Sequence, residues 1–275
     1  MSKKIKDSNL DQLEGRNIII EVLRRRKRKV VQVYIDTKTK SAEKIDDIVE
    51  MIQKRNIPMT NVPRQELDKM SQTGVHNGII AFAEPLPSYS TAEILEKAYE
   101  KGKQPFLVMV DEINYEQNLG AILRSSMGAG VNAVIVPEVR GKGLTPVVQR
   151  VAMGGAEEVP LVREGLFSAI KQLKKDGIRI IGADMDGVPI WDVDLSGSVA
   201  FVFGGESKGV SPTLRNKCDV IASVPLHLGL ESLNVSVTAG VFLFEKNRQD
   251  RIKQQAKEMK EASKEEKEGK EGKEK

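Results

Sequence analysis

Between Gly15 and Glu84 the spacing of apolar positions changes repeatedly, and each change marks a new element. "GRNIIIEVLRR" reads as a helix, "VVQVYID" as a strand and "SAEKIDDIVEMIQKR" as an amphipathic helix. "IPMTNV" then reads as a short strand, "RQELDKM" as a helix and "GIIAFAE" as a strand. Together they predict a small α/β domain over 13–84. "EPLPSYS", with its two prolines, interrupts the pattern and predicts a linker over 85–104 that carries a short helix, "TAEILEKAYEKG".

A second unit, 105–248, opens with "PFLVMVD", a continuous apolar run of the kind a strand shows when a parallel sheet buries both its faces. A helix near Asn118 to Gly130 follows, then the strand "NAVIVP", a helix around "PVVQRVAMGGA", the strand "EEVPLV" and the helix "GLFSAIKQLKKDG". "IRIIGADM", "SVAFVFG" and "DVIASVPL" supply three more strands before a last helix starting at about Ser232. This alternation predicts a parallel sheet covered by helices, with any ligand at the carboxyl ends of its strands. Residues 249–275 lose their large apolar positions, and their mixed charge predicts a disordered tail.

Composition narrows the function classes. The 275 residues are 40% hydrophobic and 30% charged, a balance typical of globular domains. No apolar run is long enough for a transmembrane helix and the N-terminus lacks the apolar core of a signal peptide, so the expected address is the cytoplasm. One cysteine, Cys218, and two histidines, His76 and His227, leave no intrachain disulfide and no zinc-type cluster, and no metal is expected. The net charge of +4 is modest but uneven, because "RRRKRK" sets six cations in a row from Arg24 to Lys29. That run is either a phosphate-binding patch or a solvated helix end.

Three strand-to-helix junctions of the second unit carry candidate chemistry. "DEINYEQNLGAILRSSMGAG" places Asn118 at a helix start and Arg124 two turns in. Taken singly, such an Asn is most often a cap and such an Arg a solvated charge. "FVFGGESKGVS" concentrates Gly204, Gly205 and Gly209 around Glu206, which permits close backbone approach. It is not a phosphate loop, since Val210 stands where that motif needs Lys, and "GAGVNA" falls between helix and strand, the wrong order for a dinucleotide fingerprint. "SVPLHLGLESLN" leads into the last helix, where Ser232 is a natural cap and Asn234 is left unexplained.

"NLGAILRSS", "FGGESKGVS" and "VPLHLGLESLNVSVTAG", in that order, resemble the signature motifs of the SpoU family of RNA 2′-O-ribose methyltransferases, within the SPOUT superfamily. The upstream unit, with "TGVHNGIIAFAEP", is similar to the ribosomal-protein-like RNA-binding domain that precedes the catalytic domain in the family's ribosomal-RNA members. The resemblance implies a parallel α/β sheet with a deep trefoil knot, S-adenosyl-L-methionine as cofactor and a homodimer. It implies catalytic roles for Asn118, Arg124, Glu206, Ser232 and Asn234, and cofactor contacts at Gly204, Gly209, Val224 and Leu233.

With such a family in view, Arg24, Arg25, Arg26, Lys27, Arg28 and Lys29 become candidate RNA contacts, as does His76, for which a structural role is equally expected. Trp191 is expected to pack at a strand edge. The implied activity is methylation of a ribose 2′-hydroxyl, with a guanosine of 23S ribosomal RNA as leading target. Transfer RNA is the nearest alternative, a catalytically silent RNA-binding factor the next and a nicotinamide oxidoreductase the most distant. Arg124 is expected to hold phosphate and stabilise alkoxide charge, with literal proton abstraction as the competing role.

Overall fold

The computed structural model describes residues 9–38, 43–139, 142–205 and 209–271. The N-terminal unit runs β1 (Asp11–Glu14), α1 (Arg16–Arg25), β2 (Val30–Asp36), α2 (Glu43–Lys54), β3 (Met59–Val62), α3 (Arg64–Met70) and β4 (Ile79–Ala83). Its sheet has the order β1-β4-β2-β3, with β2 and β3 parallel and the other pairs antiparallel.

Strand β1 is absent from the sequence expectation, because "DQLE" has a single apolar residue. It is fixed instead by buried polar groups. Glu14 is fully buried and accepts hydrogen bonds from Ser71 Oγ (2.6 Å), Thr73 Oγ1 (2.6 Å), the Gln72 amide (2.6 Å) and Gln12 Nε2 (2.8 Å).

Helix α4 (Thr91–Glu100) lies in the stretch expected to be a linker. Ser90 and Glu93 close a capping box on its first turn. Its Ile94 and Leu95 pack with Leu107, Met109, Leu166 and Ile170, so the helix is built into the core of the second unit.

That unit continues with β5 (Phe106–Val110), α5 (Glu116–Ala129), β6 (Ala133–Val136), α6 (Pro146–Ala152), α7 (Gly155–Glu158) and β7 (Leu161–Arg163). It closes with α8 (Leu166–Lys175), β8 (Arg179–Pro189), β9 (Val199–Phe203), α9 (Pro212–Arg215), β10 (Val220–Ser223) and α10 (Val235–Glu271). All six strands are parallel in the order β10-β8-β9-β5-β6-β7. One face of the sheet is covered by α5 and α10, where Phe242 meets Phe201 and Phe203 edge-on at 5.4 and 5.5 Å, and the other face by α4 and α8.

Several sequence expectations are corrected. Glu157 and Glu158 are helical, because Met153 (φ 51) and Gly154 (φ 86) break the expected helix into α6 and α7 and delay the strand to Leu161. Trp191 sits half-exposed in a 3₁₀ turn, Ile190–Asp192, instead of packing at a strand edge. Helix α10 starts three residues later than expected and continues to Glu271 through the stretch expected to be disordered. Its Lys, Glu, Gln and Ala residues favour helix, and pairs such as Lys257–Glu261 lie one turn apart. Among the described residues no helix is long and apolar enough to cross a membrane.

Candidate active site

At the carboxyl ends of β8, β9 and β10, a cleft of about 590 Å³ opens against the first turns of α5 and α10. Its floor is bare main chain. A side chain at Gly204 would overlap the backbone of Gly209 and Val210, so only glycine fits there. The reason is a tight return of the chain: the Gly205 amide bonds to the Gly209 carbonyl and the Gly209 amide to the Gly205 carbonyl, both at 3.0 Å. Gly209 takes φ +63, in the left-handed region.

Strand β8 supplies a second wall by leaving its partner. Ile221 of β10 pairs with Gly182, yet the next residue, Ala222, pairs with Val188, so residues 183–187 bulge outward over the cleft. Asp184, Met185 and Asp186 line it there, and Asp184 is ion-paired with Arg215 of α9. Ser223 Oγ pins the bulge by donating to the Gly187 carbonyl at 2.8 Å.

The third wall is the segment before α10. Asn234, not Ser232, caps the helix: its Oδ1 accepts from the Ser236 amide at 2.9 Å and from Ser236 Oγ at 2.6 Å. Its Nδ2 also donates to Asn118 Oδ1 at 3.1 Å, tying the start of α10 to the start of α5. One side chain therefore caps a helix and braces the cleft, which is why a polar residue stands where helix propensity argues against it.

The structure brings most of the expected site residues together. Asn118, Gly204, Gly209, Val224, Ser232, Leu233 and Asn234 all line the cleft. Glu206 lies outside the described residues. Arg124 is exposed and is not among the lining residues, since six positions along α5 turn it to a different face from buried Asn118. Asp184, Met185, Asp186, Tyr115 and Thr238 line the cleft without having been anticipated. Asp184 and Met185 end the predicted strand "IRIIGADM" and Asp186 follows it, a place open to the same search of strand ends, but acidic residues at a strand end carry no motif to single them out.

The cleft suits S-adenosylmethionine: glycine main chain admits a close contact, Val224, Leu233 and Phe242 offer apolar walls, and Asp184, Asn234 and Thr238 offer polar groups around them.

The expected RNA contacts divide. Arg28 is buried, with its side chain 1% exposed, and is ion-paired to Asp11 (2.5 Å) and Glu157 (2.6 Å), so it does not reach RNA. Arg25 pairs with Glu21 and Glu158, both at 3.0 Å, and Lys27 lies 3.5 Å from Glu158. Arg24, Arg26, Lys27 and Lys29 are exposed, Arg24 with an ion pair to Asp47 at 3.3 Å. His76 is 1% exposed, bonded through Nε2 to Asp68 at 2.9 Å and through Nδ1 to the Gly78 amide at 3.1 Å, which makes it a brace of its turn and not an RNA contact.

Comparison with known proteins agrees with this geometry. Residues 105–244 match the SpoU rRNA Methylase family, and residues 12–89 match the RNA 2′-O ribose methyltransferase substrate binding family. The chain is 32% identical over 244 residues to the 23S rRNA (guanosine-2′-O-)-methyltransferase RlmB of Coxiella burnetii, covering 88% of this chain and 97% of the relative. It is 33% identical over 251 residues to RlmB of Pseudomonas putida, covering 90% of this chain and 100% of the relative. Among solved structures, the SpoU methyltransferase AviRb from Streptomyces viridochromogenes, in complex with AdoMet, shares the fold with a TM-score of 0.74 at 20% identity, covering 89% of this chain and 91% of that one. The chain belongs to the SpoU rRNA methylase family.

Proposed function

We propose that the protein methylates the 2′-hydroxyl of a guanosine ribose in 23S ribosomal RNA, using S-adenosylmethionine, as a homodimer in the cytoplasm. The observation that carries this reading is the glycine-floored cleft at the carboxyl ends of the strands, braced by Asn234 and Asn118, in a chain aligned along nearly its whole length with 23S guanosine-2′-O-methyltransferases.

When bound, S-adenosylmethionine supplies an electrophilic methyl group. Gly204, Gly209, Val224 and Leu233 would hold it, with main-chain groups at the glycines and apolar contact from the other two. Asn234 and Asn118 keep the two helix starts at a fixed separation, and Ser232 stands beside them for the ribose. A ribose hydroxyl is a weak nucleophile until negative charge on its oxygen is stabilised.

Arg124 fits that task from the RNA side: it is exposed and, among the described residues, no ion pair engages its guanidinium. Guanidinium groups stay charged in proteins, so Arg124 binds the neighbouring phosphate and stabilises the developing alkoxide, while the hydroxyl proton passes to solvent water as the S–CH3 bond breaks and the O–CH3 bond forms. Arg24, Arg26 and Lys29 supply further, sequence-independent phosphate contacts.

The segment from Val224 to Asn234 returns beside Gly204, Gly209 and the β8 bulge around one cleft, which supports a knotted path for the chain. Exposed Val237 and Phe244 on α10 support a homodimer contact along that helix.

The test is methyl transfer from labelled S-adenosylmethionine to ribosomal RNA, ribosomal particles and transfer RNA, with the product mapped by resistance to alkaline cleavage. A single alkali-resistant site in 23S RNA is expected. Transfer confined to transfer RNA would overturn the target, and cofactor binding without transfer to any RNA would overturn the activity.

A further inference from the structure

Half of the basic run that the family resemblance makes a candidate for RNA binding is committed to the catalytic domain. Arg28 joins Asp11 of its own domain to Glu157 of α7, and donates to Gln149 Oε1 of α6 at 2.5 Å. Beside it, Arg25 bonds Glu158 at 3.0 Å. Gly154, between α6 and α7, is seated so closely that a Cβ there would lie 2.9 Å from Cβ of Glu21 on α1. The first helix of the RNA-binding domain is thus pressed onto the α6–α7 corner.

The opposite side of that corner touches the helix that carries Arg124. A Cβ at Gly155 would lie 2.8 Å from the Leu123 carbonyl and 3.0 Å from the Arg124 amide nitrogen. One turn earlier on α5, a Cβ at Gly120 would lie 2.7 Å from Val151 Cβ. Glycine brings the two backbones together in both places, so α6–α7 is a rigid spacer between the RNA-binding domain and α5.

The chemistry of the joint favours a fixed angle over maximal stability. Among the described residues Arg28 Nε and Glu157 Oε2 are buried without partners, and an apolar joint of the same volume would hold at least as well. Directional bonds from a planar guanidinium set an orientation that apolar contact leaves free.

We propose that Arg28 and Glu157, with Arg25 and Glu158 beside them, are positioning residues that hold the N-terminal domain at a set angle to α5, so that RNA bound by that domain is presented to Arg124 and the cleft. This rests on the reading of the chain as an RNA ribose methyltransferase.

Glu158→Arg is the variant that tests it, because the Glu158 side chain is 33% exposed and its reversal leaves no unpaired buried charge. In the full chain the radius of gyration from small-angle scattering should rise, and kcat per bound cofactor on ribosomal RNA should fall about tenfold or more. The Kd for S-adenosylmethionine and the thermal midpoint should stay unchanged. Adding Arg25→Glu, together with Glu21→Gln to remove the carboxylate that Arg25 otherwise neutralises on its own helix, should restore both the scattering and kcat, a rescue that a purely local structural role does not predict.

Unchanged scattering and kcat in Glu158→Arg, or a loss that Arg25→Glu with Glu21→Gln fails to restore, would overturn the proposal. If the wild type transfers no methyl group to RNA, the activity reading fails, while scattering from the two variants still decides whether the ion pairs set the domain angle.

Discussion

Glu14 and Glu157 are both buried carboxylates, one inside the N-terminal domain and one where the two domains meet, and their surroundings are opposite. Burial alone would raise the pKa of Glu14, but hydrogen bonds from Ser71, Thr73 and the Gln72 and Thr73 amides outweigh it and hold the carboxyl below its ordinary value. Burial dominates at Glu157: one oxygen bonds Arg28, the other has no partner among the described residues, and nearby Asp11 repels it, so its pKa is raised. Burial likewise raises Asp11 despite Arg28. A network inside a domain is saturated with donors and serves stability; the one between domains is left incomplete and serves orientation.

The largest expected effect is therefore at Glu14. Glu14→Ala strands several buried donors and should lower stability by about 3–5 kcal/mol, read as the midpoint of urea unfolding. Glu157→Gln should cost only about 1–2 kcal/mol, because the amide oxygen still accepts from Arg28 and Asp11 still pairs with it. Equal losses would erase the distinction.

A smaller effect, with opposite signs at the two sites, comes from pH. The folded pKa of Glu14 is lowered, so its contribution is complete above the unfolded value near 4.5 and is lost as pH falls through the folded value. The folded pKa of Glu157 is raised, so the cost of holding it charged appears as pH rises through that value and is absent below about 4.5. On acidification the wild type should lose thermal stability relative to Glu14→Gln and gain it relative to Glu157→Gln. Thermal midpoints between pH 7 and pH 3 check both signs.

Much of the fold was legible because its cause is local. Apolar runs such as "PFLVMVD" and "SVAFVFG" announce buried parallel strands, and the amphipathic period of "GLFSAIKQLKKDG" announces α8. Strand β1 was not, because Gln12 and Glu14 are buried by partners some 60 residues away, at Gln72 and Ser71.

Motifs single out Asn118, Gly204 and Asn234, which the structure places around one cleft; the cap was expected on Ser232, whereas the capping bonds run from the Ser236 amide and hydroxyl to Asn234 Oδ1. Arg28 reads as one cation among six; its carboxylate partner Glu157 is fixed by tertiary contact, which no local pattern reports. Asp184 became visible only when β8 was seen to bulge away from β10.

The most direct test of the cleft as cofactor site, with Arg124 turned toward RNA, is calorimetric titration of S-adenosylmethionine into the wild type, Arg124→Ala and Gly204→Ala. The wild type and Arg124→Ala should bind within about twofold of each other, since Arg124 is not part of the cleft lining. Gly204→Ala, whose Cβ overlaps Gly209, should lose affinity by about a hundredfold or more while retaining a cooperative thermal transition. Wild-type affinity in Gly204→Ala, or its loss in Arg124→Ala, would contradict the assignment.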